Sequence, residues 1–151
     1  MFLATPLECI ALIRRGVPAE HILALANKMQ IFQPDLIRTL CLPVLEISQK
    51  IQEKIILSQE ESERVLGMDY LIGQAENLAH NFGTAKGFNP ARWISAWLFV
   101  PQPELGNEMP GSLMDTVEGQ KFVPHFLAKN PIAEICVDRI FMSTAHFESP
   151  K

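Results

Sequence analysis

Between Ser58 and Gly83 the chain repeats an apolar residue at alternating steps of three and four: Val65, Met68, Ile72, Ala75, Ala79 and Phe82. That period marks one face of a helix and excludes a strand, whose side chains alternate every second residue. Ser58 opens the segment with Glu61 three residues on, which is a capping box. Glu60, Glu61 and Glu63 crowd the first turns, where the helix dipole favours negative charge. Such a helix spans roughly 36 Å at about 1.5 Å per residue. Gly67 and Gly73 weaken it, each by about 1 kcal/mol relative to Ala. The seam is heptad-like and offers more apolar surface than one small domain readily covers. It is therefore expected to pair two copies of the chain through Val65, Met68, Ile72, Ala75, Ala79 and Phe82.

The flanking segments are helical as well. Thr5, Pro6, Glu8 and Gly16 mark the two ends of a first helix. "PAEHILALANKM" is a second, with Ile22, Leu25, Ala26 and Met29 on one face, and "PDLIRTLCL" a shorter third. "PVLEISQKIQEKI" is a fourth, striped by Val44, Ile47, Ile51 and Ile55. In "NPARWISAWLF", Asn89 caps, Pro90 opens and Pro101 ends a further helix. Asp115 with Glu118 reads as the capping box of another, and Pro124 predicts a kink or an end to it. The segment from Ile135 to Met142 reads as a strand or a short helix, and the last residues as frayed. The fold class expected is all-α. A break near residues 56–58 divides a helix-turn-helix-like part, residues 1–57, from residues 58–151, the long helix and a small helical C-terminal domain.

With 151 residues, 48% of them apolar and 20% charged, the chain has a globular balance. Its net charge of −4 gives the whole chain no general attraction to nucleic acid or anionic lipid. The acid is uneven: residues 1–57 hold 6 Lys/Arg against 5 Asp/Glu, residues 58–151 hold 7 against 12. Cys9, Cys41 and Cys136 form no CxxC spacing, so neither a zinc site nor a disulfide framework is suggested, and a reducing, cytoplasmic setting is the simplest reading. The N-terminus lacks the basic start of a signal peptide, and no apolar run approaches the roughly 18 residues of a membrane span.

Little in the chain suggests catalysis. His21, His80, His125 and His146 are scattered, and HExxH, GxSxG, GxGxxG and GxxxxGK[ST] are all missing. No nucleophile, base and orienting group can be named together, so the sequence points to a non-enzyme without metal or cofactor.

The second to fourth helices have spacings that a helix-turn-helix uses, although packing of three helices explains the same apolar pattern. If DNA is bound, Ser48, Gln49, Lys50, Gln52 and Lys54 are the residues equipped to touch it. The start of the fourth helix, Pro43, Val44, Leu45 and Glu46, suits neither phosphates nor most base edges.

The stretch "WLFVPQPELGNEMPGSLMDTVEGQKFV" resembles the toxin-binding domain of antitoxins of the Xre/MbcA/ParS class. Trp97, Leu98, Pro101, Pro103, Leu105, Gly106, Pro110, Leu113, Asp115, Thr116, Gly119 and Val123 match that pattern in register. "SQEESERVLGMDYLIGQAENLAHNFG" is similar to the long helix of the family, and residues 5–51 resemble its Xre-type helix-turn-helix part. The resemblance covers about residues 5–130. Asn107 stands in place of the second glycine of the pattern, Gln102 in place of an asparagine, Gly111 in place of an aliphatic, Cys41 in place of a turn glycine, and Leu45 where Arg is frequent.

The resemblance implies an antitoxin that occludes the active site of a cognate, RES-like, NAD-depleting toxin. It also implies a homodimer whose N-terminal part binds the promoter of its own operon. The residues implied to face the toxin are Trp97, Pro101, Pro103, Glu104, Leu105, Gly106, Asn107, Glu108, Pro110, Asp115, Thr116, Gly119 and Gln120. Prolines and glycines order such a loop before a partner arrives, so less entropy is lost on binding. Trp97, Leu105 and Leu113 are equally suited to packing inside, whereas Glu104, Asn107, Glu108 and Gln120 are expected to be exposed. A transcriptional regulator, whose C-terminal domain serves only for dimerisation, is the alternative.

Overall fold

A computed structural model describes residues 5–82 and 88–129. In chain order it holds α1 (Pro6–Arg15), α2 (His21–Met29), α3 (Gln33–Thr39), α4 (Val44–Gln52), α5 (Gln59–Phe82) and α6 (Pro90–Trp97). Two 3-10 turns follow, Pro103–Leu105 and Pro110–Leu113, and then α7 (Val117–Lys129). No strand occurs among the described residues, so the fold is all-α, with isolated bridges at Pro18–Ile56 and Gln102–Glu108. The segment from Ile135 to Met142 lies outside the described residues.

Three helix starts follow from their sequences. Thr5 Oγ1 accepts from the Glu8 amide at 3.2 Å while Glu8 accepts from the Thr5 amide at 3.0 Å. Ser58 and Glu61 repeat that reciprocal box at 3.1 and 2.8 Å. Asn89 Oδ1 accepts from the Ala91 and Arg92 amides at 3.1 and 3.2 Å. Each cap satisfies donors that the first turn leaves open.

At α7 the cap differs from the expectation. Thr116, not Asp115, accepts the Gly119 amide, at 2.9 Å, and Asp115 is exposed. Pro124 does not end α7, which continues to Lys129. Val123, Pro124 and Leu127 are all buried, and packing of that face holds the helix across the missing donor.

α5 is the spine. Helices α1, α6 and α7 pack along it, and Val65, Met68, Ile72 and Ala75 are no more than 4% exposed, Ala79 8%. This corrects the argument that the seam is left over for a second copy: its apolar surface is already covered inside one chain. Any pairing of copies has to use another face. The Phe82 side chain lies outside the described residues.

One continuous core runs from Val17 to Leu127 and crosses the break at residues 56–58, as α2 rests on α6. Each fully buried aliphatic in it contributes about 1.5–3 kcal/mol. Polar ties fix the helices around the core. His21 and Asp69 pair across α2 and α5, and Lys28 and Glu76, one heptad further on, pair at 3.3 Å. Lys50 Nζ bonds both Glu61 oxygens, at 2.9 and 2.8 Å, and joins α4 to the start of α5. Burial, the largest single influence, pushes the Glu61 carboxyl up, but the bonds from Lys50 and Ser58 together hold it below its ordinary value. Arg64 Nη1 donates to the Leu40 and Cys41 carbonyls at 3.0 and 3.2 Å. The buried Ser62 hydroxyl accepts from the Val17 amide at 2.9 Å.

Candidate toxin-binding hook

α6 positions the segment that follows it. Trp93, Ile94, Trp97 and Leu98 are buried against the core, so the chain leaves α6 from a fixed point. Trp93 stacks on Trp97 with centroids 5.7 Å apart, Trp97 on Phe126 at 6.4 Å, and Phe126 on Phe122 at 6.0 Å. This ladder couples α6 to α7. Trp97 is 2% exposed and is thus a support of the segment, not a surface that a partner touches.

Beyond Leu98 the backbone folds onto itself. The Gln102 amide donates to Glu108 O at 3.1 Å, and Gln102 O accepts from the Asn107 and Leu105 amides, both at 2.9 Å. The Glu108 amide closes on Leu105 O at 3.3 Å. Gly106 and Asn107 between them both have φ of 68°. Two successive positive φ values are what a tight hairpin turn of the primed type requires. Asn tolerates that region far better than most side chains, which explains how Asn107 stands in for a glycine. The Gly111 amide then donates to Leu98 O at 2.8 Å and fastens the far side of the hook to the end of α6.

Two glycines are set by close approach. A Cβ on Gly119 would lie 1.5 Å from Leu113 O, so α7 can begin beside the second 3-10 turn only with glycine there. A Cβ on Gly111 would lie 2.9 Å from Leu98 O.

Of the residues the sequence suggested, Pro101, Pro103, Glu104, Gly106, Asn107, Glu108, Asp115 and Thr116 are exposed and brought together on this hook. Leu105 and Gly119 are half-buried, and Pro110 is buried. Gln120 was expected to be exposed and is 7% exposed: its Nε2 donates to Met114 O at 3.3 Å, and its chain fills the space that Gly67 leaves on α5. Its role is internal. Sequence reasoning missed Phe99, Val100 and Met109, large apolar side chains left exposed along the hook.

The residues suggested for DNA are spread along α4 and beyond its end. Ser48 is half-buried, Gln49 bonds Glu53 at 3.0 Å, Lys50 is engaged by Glu61, and Gln52 and Lys54 are exposed. The exposed start of α4 carries Leu45, which is 87% exposed. Cys41, between α3 and α4, has φ of 58° and takes the left-handed turn position where a glycine is usual. No helix among the described residues is long and apolar enough to cross a membrane.

No family model and no solved structure matches this chain. A curated protein of Sphingobium sp. (strain YBL2), named Prs ADP-ribosylating antitoxin, is 35% identical over 129 residues, covering 85% of this chain and 81% of that relative. With that identity along most of both sequences, the chain belongs to that antitoxin family, and its part is to neutralise a toxin rather than to act as an enzyme itself.

Proposed function

We propose that this antitoxin binds a RES-like, NAD-consuming toxin through the hook of residues 99–118 and covers its active site. The observation that carries the reading is the self-bonded turn from Gln102 to Glu108, which presents Glu104, Asn107 and Glu108 to solvent without further ordering. A pre-formed turn avoids part of the entropy loss on association. The name of the Sphingobium relative speaks of ADP-ribosylation, a reaction whose donor is NAD, and this agrees with a toxin that consumes NAD.

Binding of the operon's promoter through Ser48, Gln49, Lys50, Gln52 and Lys54 is the lesser reading. Lys50 is held by Glu61, and the start of α4, from which a recognition helix reads bases, offers Leu45 and Glu46.

The test is co-expression with the protein of the adjacent reading frame. The reading expects restored growth and a complex that co-purifies. A chain that neither restores growth nor co-purifies overturns it.

A further inference from the structure

Phe99, Val100 and Met109 are 54%, 38% and 38% exposed. They sit on the two facing arms of the hook, which the bond from the Gly111 amide to Leu98 O and that from the Gln102 amide to Glu108 O tie together on either side of them. Between Arg92 and Lys121, along the segment that carries them, the charge has one sign. From Trp93 to Gln120 the chain holds four carboxylates, Glu104, Glu108, Asp115 and Glu118, and no Lys, Arg or His. All four are exposed.

We infer that Phe99, Val100 and Met109 are the anchors of the toxin contact, and that the toxin's matching surface is an apolar hollow bordered by lysine and arginine. The inference rests on the antitoxin reading and names the partner chemistry at the same site. An apolar centre with a charged rim is the usual anatomy of a specific protein contact, in which a few buried anchors carry most of the affinity. The sign of the rim decides the occupant. A second copy placed on this patch by a two-fold axis would bring acid rim against acid rim, and nucleic acid or an anionic lipid surface would be repelled. NAD carries a pyrophosphate, and lysine or arginine at the mouth of the cleft that receives it would form the cationic border that Glu104 and Glu108 fit. The anchors act on the lifetime of the complex and the carboxylates on its rate of formation.

The experiment measures binding kinetics of the full chain on the immobilised protein of the adjacent reading frame, at low and high salt. Phe99→Ala with Met109→Ala is expected to weaken affinity by about 100-fold, mostly through faster dissociation. Glu104→Gln with Glu108→Gln is expected to slow association by about tenfold at low salt and little at high salt. Leu45→Ala, exposed on α4 and outside the hook, serves as the control and is expected to bind like the wild type. All these side chains are exposed, so the variants retain the fold, as circular dichroism checks. Wild-type binding with Phe99→Ala/Met109→Ala unchanged overturns this inference alone. A wild-type chain that does not bind overturns the antitoxin reading and this inference with it.

Discussion

Gly119→Ala tests how the hook is held to the rest of the molecule. The new Cβ would lie 1.5 Å from Leu113 O and 2.7 Å from the Leu113 carbonyl carbon. Both partners are backbone, the first turn of α7 and the end of a 3-10 turn, so no side chain can swing away. The first turn of α7 and the 3-10 turn must separate. Overpacking in a core costs about 1–3 kcal/mol, and a backbone clash this deep belongs at the top of that range, about 3 kcal/mol. Gly106→Ala provides the contrast. Nothing lies within 4 Å of its Cβ, but its φ of 68° is unfavourable for alanine, at a cost of about 1 kcal/mol. For a domain of this size 1 kcal/mol moves Tm by about 2–4 °C, which gives a loss of roughly 10 °C for Gly119→Ala and roughly 3 °C for Gly106→Ala. Urea unfolding, followed by the fluorescence of Trp93 and Trp97 in the adjacent stack, reads the same difference as free energy. If Gly119→Ala is no more destabilising than Gly106→Ala, the close approach is wrong.

Other consequences concern pH, capping and the α4–α5 tie. The hydrogen bond that the His21 ring donates to Asp69, against opposing burial, raises the His21 pKa above its ordinary 6.5. The folded state then holds a proton that the unfolded chain releases, so this stabilisation is complete below about pH 6.5 and is lost as pH rises through the higher folded value. Urea midpoints against pH should show that decline, and Asp69→Asn should flatten it. Thr116→Ala removes the cap of α7 and should cost about 1 kcal/mol. Asp115→Ala should stay within about 0.5 kcal/mol, and equal effects in urea titration would contradict the capping assignment. Lys50→Ala leaves the Glu61 carboxylate, 12% exposed, without its cation, which should destabilise the fold by about 2 kcal/mol. Lys54→Ala, at an exposed position, should leave stability unchanged by the same measure.

The sequence reveals helices where the signal is local. Thr5, Ser58 and Asn89 cap as their positions suggest, because a cap involves residues three apart and little else. At the start of α7 the local signal misleads: Asp115 with Glu118 reads as a capping box, but the neighbouring Thr116 is an equally good cap and is the one that accepts the Gly119 amide. The seam of α5 was legible as a buried face but not as to what buries it, since steps of three and four suit a dimer and an intramolecular core alike. Here α1, α6 and α7 cover it.

Within the hook, the turn was legible from its prolines and glycines, while the division into supports and contacts was not. Gln120 is polar and on a helix, features that suggest solvent. Gly67, a weak helix former 53 positions earlier, was the clue that a side chain needs room at α5. Phe99 and Val100 escaped notice for the opposite reason: apolar residues just after Trp97 read as core, and only the fold shows that the chain has turned outward there, with Met109 exposed on the facing arm.

The most direct measurement of the central claim is NAD consumption by the purified protein of the adjacent reading frame, titrated with this chain. An ordered hook that covers the active site predicts loss of consumption at a fixed molar ratio, with higher NAD concentrations weakening the inhibition. A stable complex that consumes NAD as fast as the free protein would contradict it.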